Sequence, residues 1–239
     1  MASLRVSLPP CISKSIEIMD ILFEDYYLLA VDKPAGLTVD LGNGKLPSVE
    51  RDALFYLAEV LNEGSTSTRL KATPFLRAAT RIERQVSGIV LLAKTKAALL
   101  HLQDQSDKGE IEKTFMAITD KVPAAETGAL VHWLKKDEKT RKSLVFNREN
   151  KNLQRCEMLY AIKEKSWKGA LLELHPITDF YHQARAQMAH IGCPIFGDDQ
   201  YGNRLWKEHQ IKLHAERFKF KHPKSGEWME VHAPTPEHW

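Results

Sequence analysis

The chain has 239 residues, of which 43% are hydrophobic and 27% are charged, and its formal net charge at pH 7 is +3. This composition is typical of a folded globular protein and excludes disordered and collagen-like chains. The longest apolar runs are far shorter than the roughly 20 residues that a membrane-spanning helix needs, so we expect no membrane partner. The three cysteines form no CxxC pair and the histidines show no metal-type spacing, which indicates a reducing compartment and no metal site.

The first sixteen residues carry Arg5, Lys14 and four serines but no acidic residue. Organelle transit peptides share these features, although we interpret the segment 1–16 as a flexible N-terminal extension of a cytoplasmic protein. Residues 17–239 are then expected to form a single domain.

Two short runs rich in Ile, Leu, Val and Tyr predict adjacent strands, SIEIMDILFED and YYLLAVDK, which are followed by a turn at Lys33, Pro34 and Gly36. Ser48 is a candidate N-cap for a helix that ends at Gly64. The apolar face of this helix is formed by residues at helical spacing, namely Leu54, Leu57, Ala58 and Leu61. The GNGK segment before it lacks the spacing of a phosphate-binding loop, so no nucleotide cofactor is expected.

A buried strand is predicted from Ile89, and Thr95 is a candidate N-cap for a second helix that runs toward Asp107 and ends before Gly109. Further strands are predicted at 114–118, 157–163 and 170–174.

The segment His182 to Ile191 has a helical pattern and ends at Gly192, and two last strands are predicted at 214–220 and 229–231. Strands outnumber helices and do not alternate regularly with them. This order favours an α+β fold with a mixed, mostly antiparallel central sheet flanked by helices and loops.

Charge is distributed unevenly along the chain. Residues 17–63 include ten acidic and three basic side chains, whereas residues 132–168 include eleven basic and five acidic ones. The second stretch also contains Trp133, Tyr160 and Trp167. Cations interleaved with aromatic rings favour contact with a nucleic-acid backbone, because each cation that meets a phosphate releases a counterion. A solvated basic face is the alternative interpretation.

Five blocks between about Met19 and Pro236 carry a family resemblance: ILFEDYYLLAVDKPAGLTV, TRIERQVSGIVLLAKT, EKTFMAI, HPITDFYHQARAQMAHIGCPIFGDDQYG and LHAERFKFKHPKSGEWMEVHAPTP. Their order and content resemble the RluA family of RNA pseudouridine synthases. In that family the first block contains a KPxG turn, the second reads HRLDRxxSGLLLxAKT, and the third contains KxYxA. The fourth and fifth usually read LxTGRxHQIRxHLAxxGxPIxGDxxYG and LHAxxLxFxHPxTGE.

The resemblance implies the pseudouridine synthase fold and an enzyme that isomerises uridine in structured RNA, ribosomal or transfer RNA, without a cofactor. The uracil is detached from ribose, rotated and rejoined through carbon after the nucleotide has been flipped from its stack. Family members use an aspartate as the nucleophile, an arginine that pairs with it and a tyrosine near the base. Here those catalytic positions hold Glu83, Arg185 and Phe115.

The chain departs from the family pattern at several of these positions. Glu83 has one methylene more than aspartate, and Phe115 lacks the hydroxyl of the family tyrosine. Thr80 replaces the histidine of the second block. Asp179 and Phe180 replace the glycine and arginine of the TGR segment, so an anion and a ring stand where a cation is expected.

Two hypotheses follow. The chain is either a working synthase in which Glu83 replaces the usual aspartate, or an RNA-binding protein that has kept the fold, lost turnover and acts in RNA folding or ribosome assembly. Hydrolysis of another glycosidic bond is a weaker alternative, because Asp179 is the only candidate for the second carboxylate that such hydrolases need.

The resemblance also implies RNA contacts through the blocks that contain Arg81, Arg84, Lys113, His182 and Gln183. The basic stretch adds Lys135, Lys136, Lys139, Arg141 and Lys142. Some longer relatives have a separate RNA-binding domain ahead of the synthase domain, whereas we expect none here and expect a monomer.

Overall fold

The computed structural model describes residues 19–42, 47–62, 74–202, 210–237 and 239. The segment 1–16, the predicted helix end at Gly64 and most of the GNGK segment therefore lie outside the described residues. Three helices are present in the described parts: α1 (Val49–Asn62), α2 (Lys96–Asp107) and α3 (Gln183–His190). None of them combines the length and apolar character that crossing a bilayer requires.

The described strands form one sheet in the spatial order β1-β2-β4-β10-β5-β9-β8-β6-β7, with β3 beside β4 and β11 beside β10. Their bounds are β1 (Asp20–Glu24), β2 (Leu28–Lys33), β3 (Arg77–Ala78), β4 (Ser87–Ala93), β5 (Glu112–Thr119), β6 (Thr127–Asp137), β7 (Lys142–Phe146), β8 (Gln154–Ser166), β9 (Gly169–Pro176), β10 (Leu213–Lys221) and β11 (Trp228–His232). β4 and β10 pair in parallel, and the other named strand pairs are antiparallel. The prediction of a mixed, mostly antiparallel α+β sheet is confirmed.

The helix starts follow from local capping. The hydroxyl of Ser48 accepts a hydrogen bond from the backbone N–H of Arg51 at 3.3 Å, and that of Thr95 accepts one from Ala98 at 3.1 Å. α3 begins one residue later than predicted, because His182 has a left-handed backbone (φ 55°) and precedes the helix as its N-cap.

The sequence did not predict the β6–β7 hairpin, which is the main error in the element assignment. β6 does alternate, with Leu130, His132 and Leu134 buried toward α3. One of those three inward residues is a histidine, however, and the outward ones include the apolar Ala129, Val131 and Trp133, so the period-2 hydrophobic pattern is weak. The basic stretch 132–168 therefore includes the end of β6, all of β7 and all of β8.

The junction between β4 and β10 joins the two parts of the sheet and lies next to Glu83. Gly88 is opposite Ala215 there, and a Cβ atom on Gly88 would lie 2.3 Å from the Ala215 carbonyl oxygen. Its backbone φ of 112° is also unfavourable for other residues. Only glycine allows the two strands to approach this closely.

A buried lysine ties the turn after β2 to the loop that carries Glu83. Lys33 is completely buried, and its Nζ donates to the carbonyls of Pro34 at 3.0 Å, Leu37 at 2.9 Å and Arg84 at 3.3 Å. Burial lowers the pKa of Lys33 to about 7, against the raising effects of Asp32 and Glu83. The sequence analysis treated this lysine only as a turn residue.

We expect Gly88→Ala to lower the free energy of unfolding by more than about 3 kcal/mol, because the strands must separate to admit the methyl group. Gly109→Ala is the matched control, since Gly109 also has a positive φ (68°) but has open space at its Cβ. The control should lose only about 1 kcal/mol. Urea denaturation measures both, and equal losses would show that close strand approach does not explain Gly88.

Lys33→Met should destabilise the protein by about 2 kcal/mol or more at pH 9, because the buried carbonyls around Lys33 lose the two hydrogens that its neutral amine donates at that pH. Between the folded pKa of about 7 and the ordinary value of 10.5, the unfolded chain binds more protons at Lys33. The stability contributed by Lys33 therefore rises with pH in this window. Urea denaturation at pH 6 and pH 9 should show a larger difference between wild type and variant at pH 9. Lys96→Met, at an exposed position, controls for the substitution itself; a difference that is largest at pH 6 would contradict the argument.

Candidate active site

An open cleft of about 1110 Å³ lies between the loop after β3, the edge of β5 and the segment that leads from β9 into α3. This volume is comparable to that of small-molecule binding pockets. Apolar side chains form much of its wall, among them Ile82, Val86, Phe115, Ile177 and Leu213. The cleft therefore offers flat apolar surfaces suited to an aromatic ring.

Glu83 and Arg185 meet at this cleft. Glu83 lies in the loop between β3 and β4, and Arg185 lies in the first turn of α3. Nη1 of Arg185 contacts Oε2 of Glu83. The guanidinium is completely buried, whereas 25% of the Glu83 side chain remains exposed toward the cleft. Burial raises the pKa of Glu83, and the charge of Arg185 opposes that rise.

Asp198 fixes the other side of Arg185. Its two carboxylate oxygens accept hydrogen bonds from Nε and Nη2 of Arg185, both at 2.7 Å, and Oε1 of Gln200 accepts a further one at 3.1 Å. Burial lowers the pKa of Arg185, but the hydrogen bonds and charges of Asp198 and Glu83 outweigh it and raise the net value. Arg185 is therefore a permanent cation with a defined orientation.

Asp198 and Tyr201 were not among the predicted site residues, although both belong to the GDDQYG segment of the fourth block. The ring of Tyr201 lies 5.0 Å from the guanidinium carbon of Arg185. The GDxxYG pattern of the fourth block could have indicated a site role, but the partner of each residue is separated from it in sequence and meets it only through the fold.

His182 is the third group beside Glu83. Its Nε2 lies 3.4 Å from Oε2 of Glu83, and its Nδ1 lies 3.0 Å from the hydroxyl of Tyr201. Burial, reinforced by the charge of Arg185, lowers the pKa of His182 to about 3. The imidazole is therefore neutral at physiological pH.

The replaced residues of the TGR segment have new partners. Asp179 forms an ion pair with Lys113, which comes from β5, and both residues line the cleft. Phe180 packs against the cluster of Leu134, Cys156 and Ala186 and also lines the cleft without closing it. The exchange of arginine for phenylalanine therefore extends a small core beneath α3.

Phe115 contributes an apolar wall. It lines the cleft, and its ring centroid lies 6.3 Å from that of Phe218. Without a hydroxyl it offers the cleft a packing surface and no proton.

The remaining block residues predicted to bind RNA lie around the cleft. Arg81 is paired with Asp40 at 2.9 Å, and Nε of Arg84 donates to the carbonyl of Gly36 at 2.8 Å. Both arginines are exposed cleft residues. Gln183 is buried and donates through its amide to the carbonyl of Glu157 at 3.0 Å, so it braces the start of α3.

The five basic residues of the β6–β7 hairpin lie outside the cleft lining. Lys136 places its Nζ 5.0 Å from the ring centroid of Tyr181, and Lys142 donates to the carbonyl of Gln200. Lys135, Lys139 and Arg141 are exposed. The hairpin therefore adjoins the cleft through Tyr181, which lines it, and places exposed cations beside it. We found no cluster of three or more His, Cys, Asp or Glu suited to a metal ion within the described ranges.

Comparison with known proteins agrees with the family resemblance of the sequence. Residues 27–190 match the family model for RNA pseudouridylate synthases. The chain is 33% identical to ribosomal large subunit pseudouridine synthase C of Vibrio parahaemolyticus over 90% of this chain and 65% of the relative. It is also 33% identical to the protein of the same name from Vibrio cholerae over 91% of this chain and 66% of the relative. The chain thus spans slightly less than two thirds of the length of these relatives.

Solved structures support the same fold. The human RNA pseudouridylate synthase domain containing 4 superposes with a TM-score of 0.71 at 24% identity, over 91% of this chain and 89% of that one. The human RNA pseudouridylate synthase domain containing 1 superposes with a TM-score of 0.73 at 18% identity, over 94% of this chain and 86% of that one. The match of the family model to more than half of the sequence, together with the five blocks, shows that the chain belongs to the RluA family of RNA pseudouridine synthases.

Proposed function

We propose that the chain is an active RNA pseudouridine synthase in which Glu83 is the nucleophile and Arg185 orients it. One observation carries the proposal: the Glu83 carboxylate, held by Arg185, faces an open cleft large enough for a flipped nucleobase. The extra methylene of glutamate is accommodated, since the carboxylate still reaches the guanidinium at the cleft wall.

The reaction needs one carboxylate and a site that retains a free uracil. In our proposal Glu83 attacks C1′ of the ribose, and the electrons of the N1–C1′ bond leave with the uracil. The uracil turns within the cleft until its C5 attacks C1′ and expels Glu83. C5 then loses a proton to solvent while N1 takes one up, so the product is an isomer of the substrate and no cofactor is consumed.

The cleft walls support the turning step. Ile82, Val86, Phe115 and Leu213 present apolar surface, which holds a planar ring by burial without fixing its rotation. Lys113 and Asp179 add a donor and an acceptor at the wall. Because Phe115 has no hydroxyl, our proposal assigns the proton transfer from C5 to water rather than to this side chain.

RNA is the proposed substrate class, and ribosomal RNA is the first candidate, because the similar proteins are named as ribosomal large subunit synthases. Transfer RNA is the alternative. Lys135, Lys139 and Arg141 are exposed on the hairpin beside the cleft, where they can meet phosphates that flank the target nucleotide.

The second candidate function is RNA binding without turnover, as in RNA folding or ribosome assembly. The ion pair between Lys113 and Asp179 favours it, because it neutralises a cation at the cleft wall that could otherwise meet RNA. The two candidates differ in whether any uridine depends on the Glu83 carboxylate.

Glu83→Gln should abolish activity, because it keeps the side-chain length but removes the charge needed for attack. Pseudouridine is mapped in RNA from cells that lack the gene and from the same cells complemented with wild type, Glu83→Gln or the exposed control Glu164→Gln. We expect at least one modified uridine with wild type and the control and none with Glu83→Gln. A map that is identical with and without the wild-type gene would support the RNA-binding candidate instead.

Changing Lys135, Lys139 and Arg141 to glutamine should weaken RNA binding and reduce the slope of log affinity against log salt by about 2, since each phosphate contact contributes about 0.7 to 0.9. A ribosomal RNA fragment and a transfer RNA transcript serve as probes, with binding measured at several salt concentrations. Changing Lys163, Lys165 and Lys168 removes the same charge from the β8–β9 hairpin and is the control. If both triple variants reduce the slope equally, net charge rather than the β6–β7 hairpin explains the effect.

A further inference from the structure

His182 lies between Glu83 and Tyr201, and its two ring nitrogens face different partners. Nδ1 is 3.0 Å from the Tyr201 hydroxyl, and Nε2 is 3.4 Å from Oε2 of Glu83. The imidazole is held in this orientation by Tyr181, whose ring stacks on it with centroids 3.7 Å apart and an interplanar angle of 19°. The geometry therefore connects Tyr201 to the proposed nucleophile through one ring.

The hydrogen-bond pattern determines which nitrogen carries the proton. The backbone N–H of Ser143 donates to the hydroxyl oxygen of Tyr201 at 2.6 Å. The Tyr201 hydroxyl can then donate its hydrogen to Nδ1 of His182, which accepts through its lone pair. A neutral imidazole that accepts at Nδ1 carries its hydrogen on Nε2, the nitrogen that faces Glu83. The opposite tautomer would place a lone pair against a carboxylate.

We propose that Tyr201 is a positioning residue that fixes the tautomer of His182, so that Nε2–H faces Oε2 of Glu83 and restrains the carboxylate. Arg185 contacts the same oxygen. Both restraints therefore act on Oε2, and Oε1 is left as the oxygen that attacks the substrate. A glutamate has one more side-chain torsion than an aspartate, and the second restraint compensates for that freedom.

The charged groups around His182 favour a neutral ring. Burial is the largest effect on the ring and brings its pKa to about 3; Arg185 and Lys136 also oppose its protonation, and Asp198 favours it. The Glu83 carboxylate faces Nε2 at 3.4 Å. The imidazole therefore acts as a neutral donor and not as a cation. Its left-handed backbone (φ 55°) is an unfavourable conformation that the surrounding contacts maintain.

The effect on turnover rests on the proposed function, but the tautomer is a property of the folded chain and can be measured without substrate. The full chain is labelled with ¹⁵N-histidine, and the His182 signals are assigned by their loss in His182→Asn. Asparagine is chosen because it tolerates the left-handed backbone. In the wild type we expect a neutral Nε2–H tautomer that does not change between pH 5.5 and 8.

Tyr201→Phe should shift His182 toward the Nδ1–H tautomer, because the ring is kept and only the donated hydrogen is lost. Tyr181→Phe is the matched control, since it keeps the stacked ring and removes a hydroxyl that bonds the carbonyl of Arg141 instead. It should leave the tautomer unchanged. A wild-type Nδ1–H tautomer, or the same tautomer in wild type and Tyr201→Phe, would overturn the inference. If Tyr201→Phe does not fold, a wild-type signal from the Tyr201 hydroxyl hydrogen that shows coupling to Nδ1 of His182 supports the inference, and a hydroxyl bonded elsewhere overturns it.

A double-mutant cycle tests the consequence for turnover. Tyr201→Phe should lower the single-turnover rate roughly 10-fold or more through misplacement of the carboxylate, and it should have no further effect in the His182→Asn background. Tyr26→Phe, at an exposed position far from the cleft, is the activity control. Independent effects of the two substitutions on the rate would refute the proposal that Tyr201 acts through His182. An Nε2–H tautomer in a wild type without turnover would refute the proposed function and leave the positioning of His182 by Tyr201 intact.

Discussion

The site depends on one buried cation. Arg185 is completely removed from solvent, and a buried charge is tolerated only where it is paired and hydrogen-bonded. Asp198 satisfies one side of the guanidinium through two parallel hydrogen bonds, which fixes its plane. The remaining Nη1 points at Glu83. Docking of α3 on the segment that carries Asp198 therefore decides where the Glu83 carboxylate is held.

The loop that carries Glu83 is positioned from the other side of the molecule. Gly88 allows β4 to lie against β10, and Lys33 binds the carbonyl of Arg84 from beneath. These contacts leave the loop little freedom, because one end is in a buried strand and its middle is bonded to a buried amine. A rigid loop and a rigid guanidinium thus meet at the cleft, and this preorganisation supports the proposed role of Glu83 as a nucleophile.

Sequence reasoning reached the fold class and the three helices through hydrophobic patterns and helix caps, which are local signals, whereas the meeting of Glu83 with Arg185 was implied by the family resemblance. It missed the β6–β7 hairpin, where His132 occupies an inward position and weakens the alternating pattern. It also gave no role to Asp198, Tyr201 or Lys33. Each of these acts through a partner distant in sequence, such as Ser143 for Tyr201 and Arg84 for Lys33, and only the fold brings those partners together.

The charge balance of the site argues that Glu83 is more than one half of a structural ion pair. Arg185 and Asp198 already neutralise each other without solvent. The Glu83 carboxylate gives the remaining Nη1 of Arg185 an acceptor, but it adds an anion in a place where burial raises the pKa of that carboxyl, and the charges of Arg185 and Lys33 only partly oppose this effect. The carboxylate is nevertheless held there, and part of it opens into the cleft. A partly exposed anion kept at the wall of an open pocket supports the proposed role of Glu83 as the reacting group.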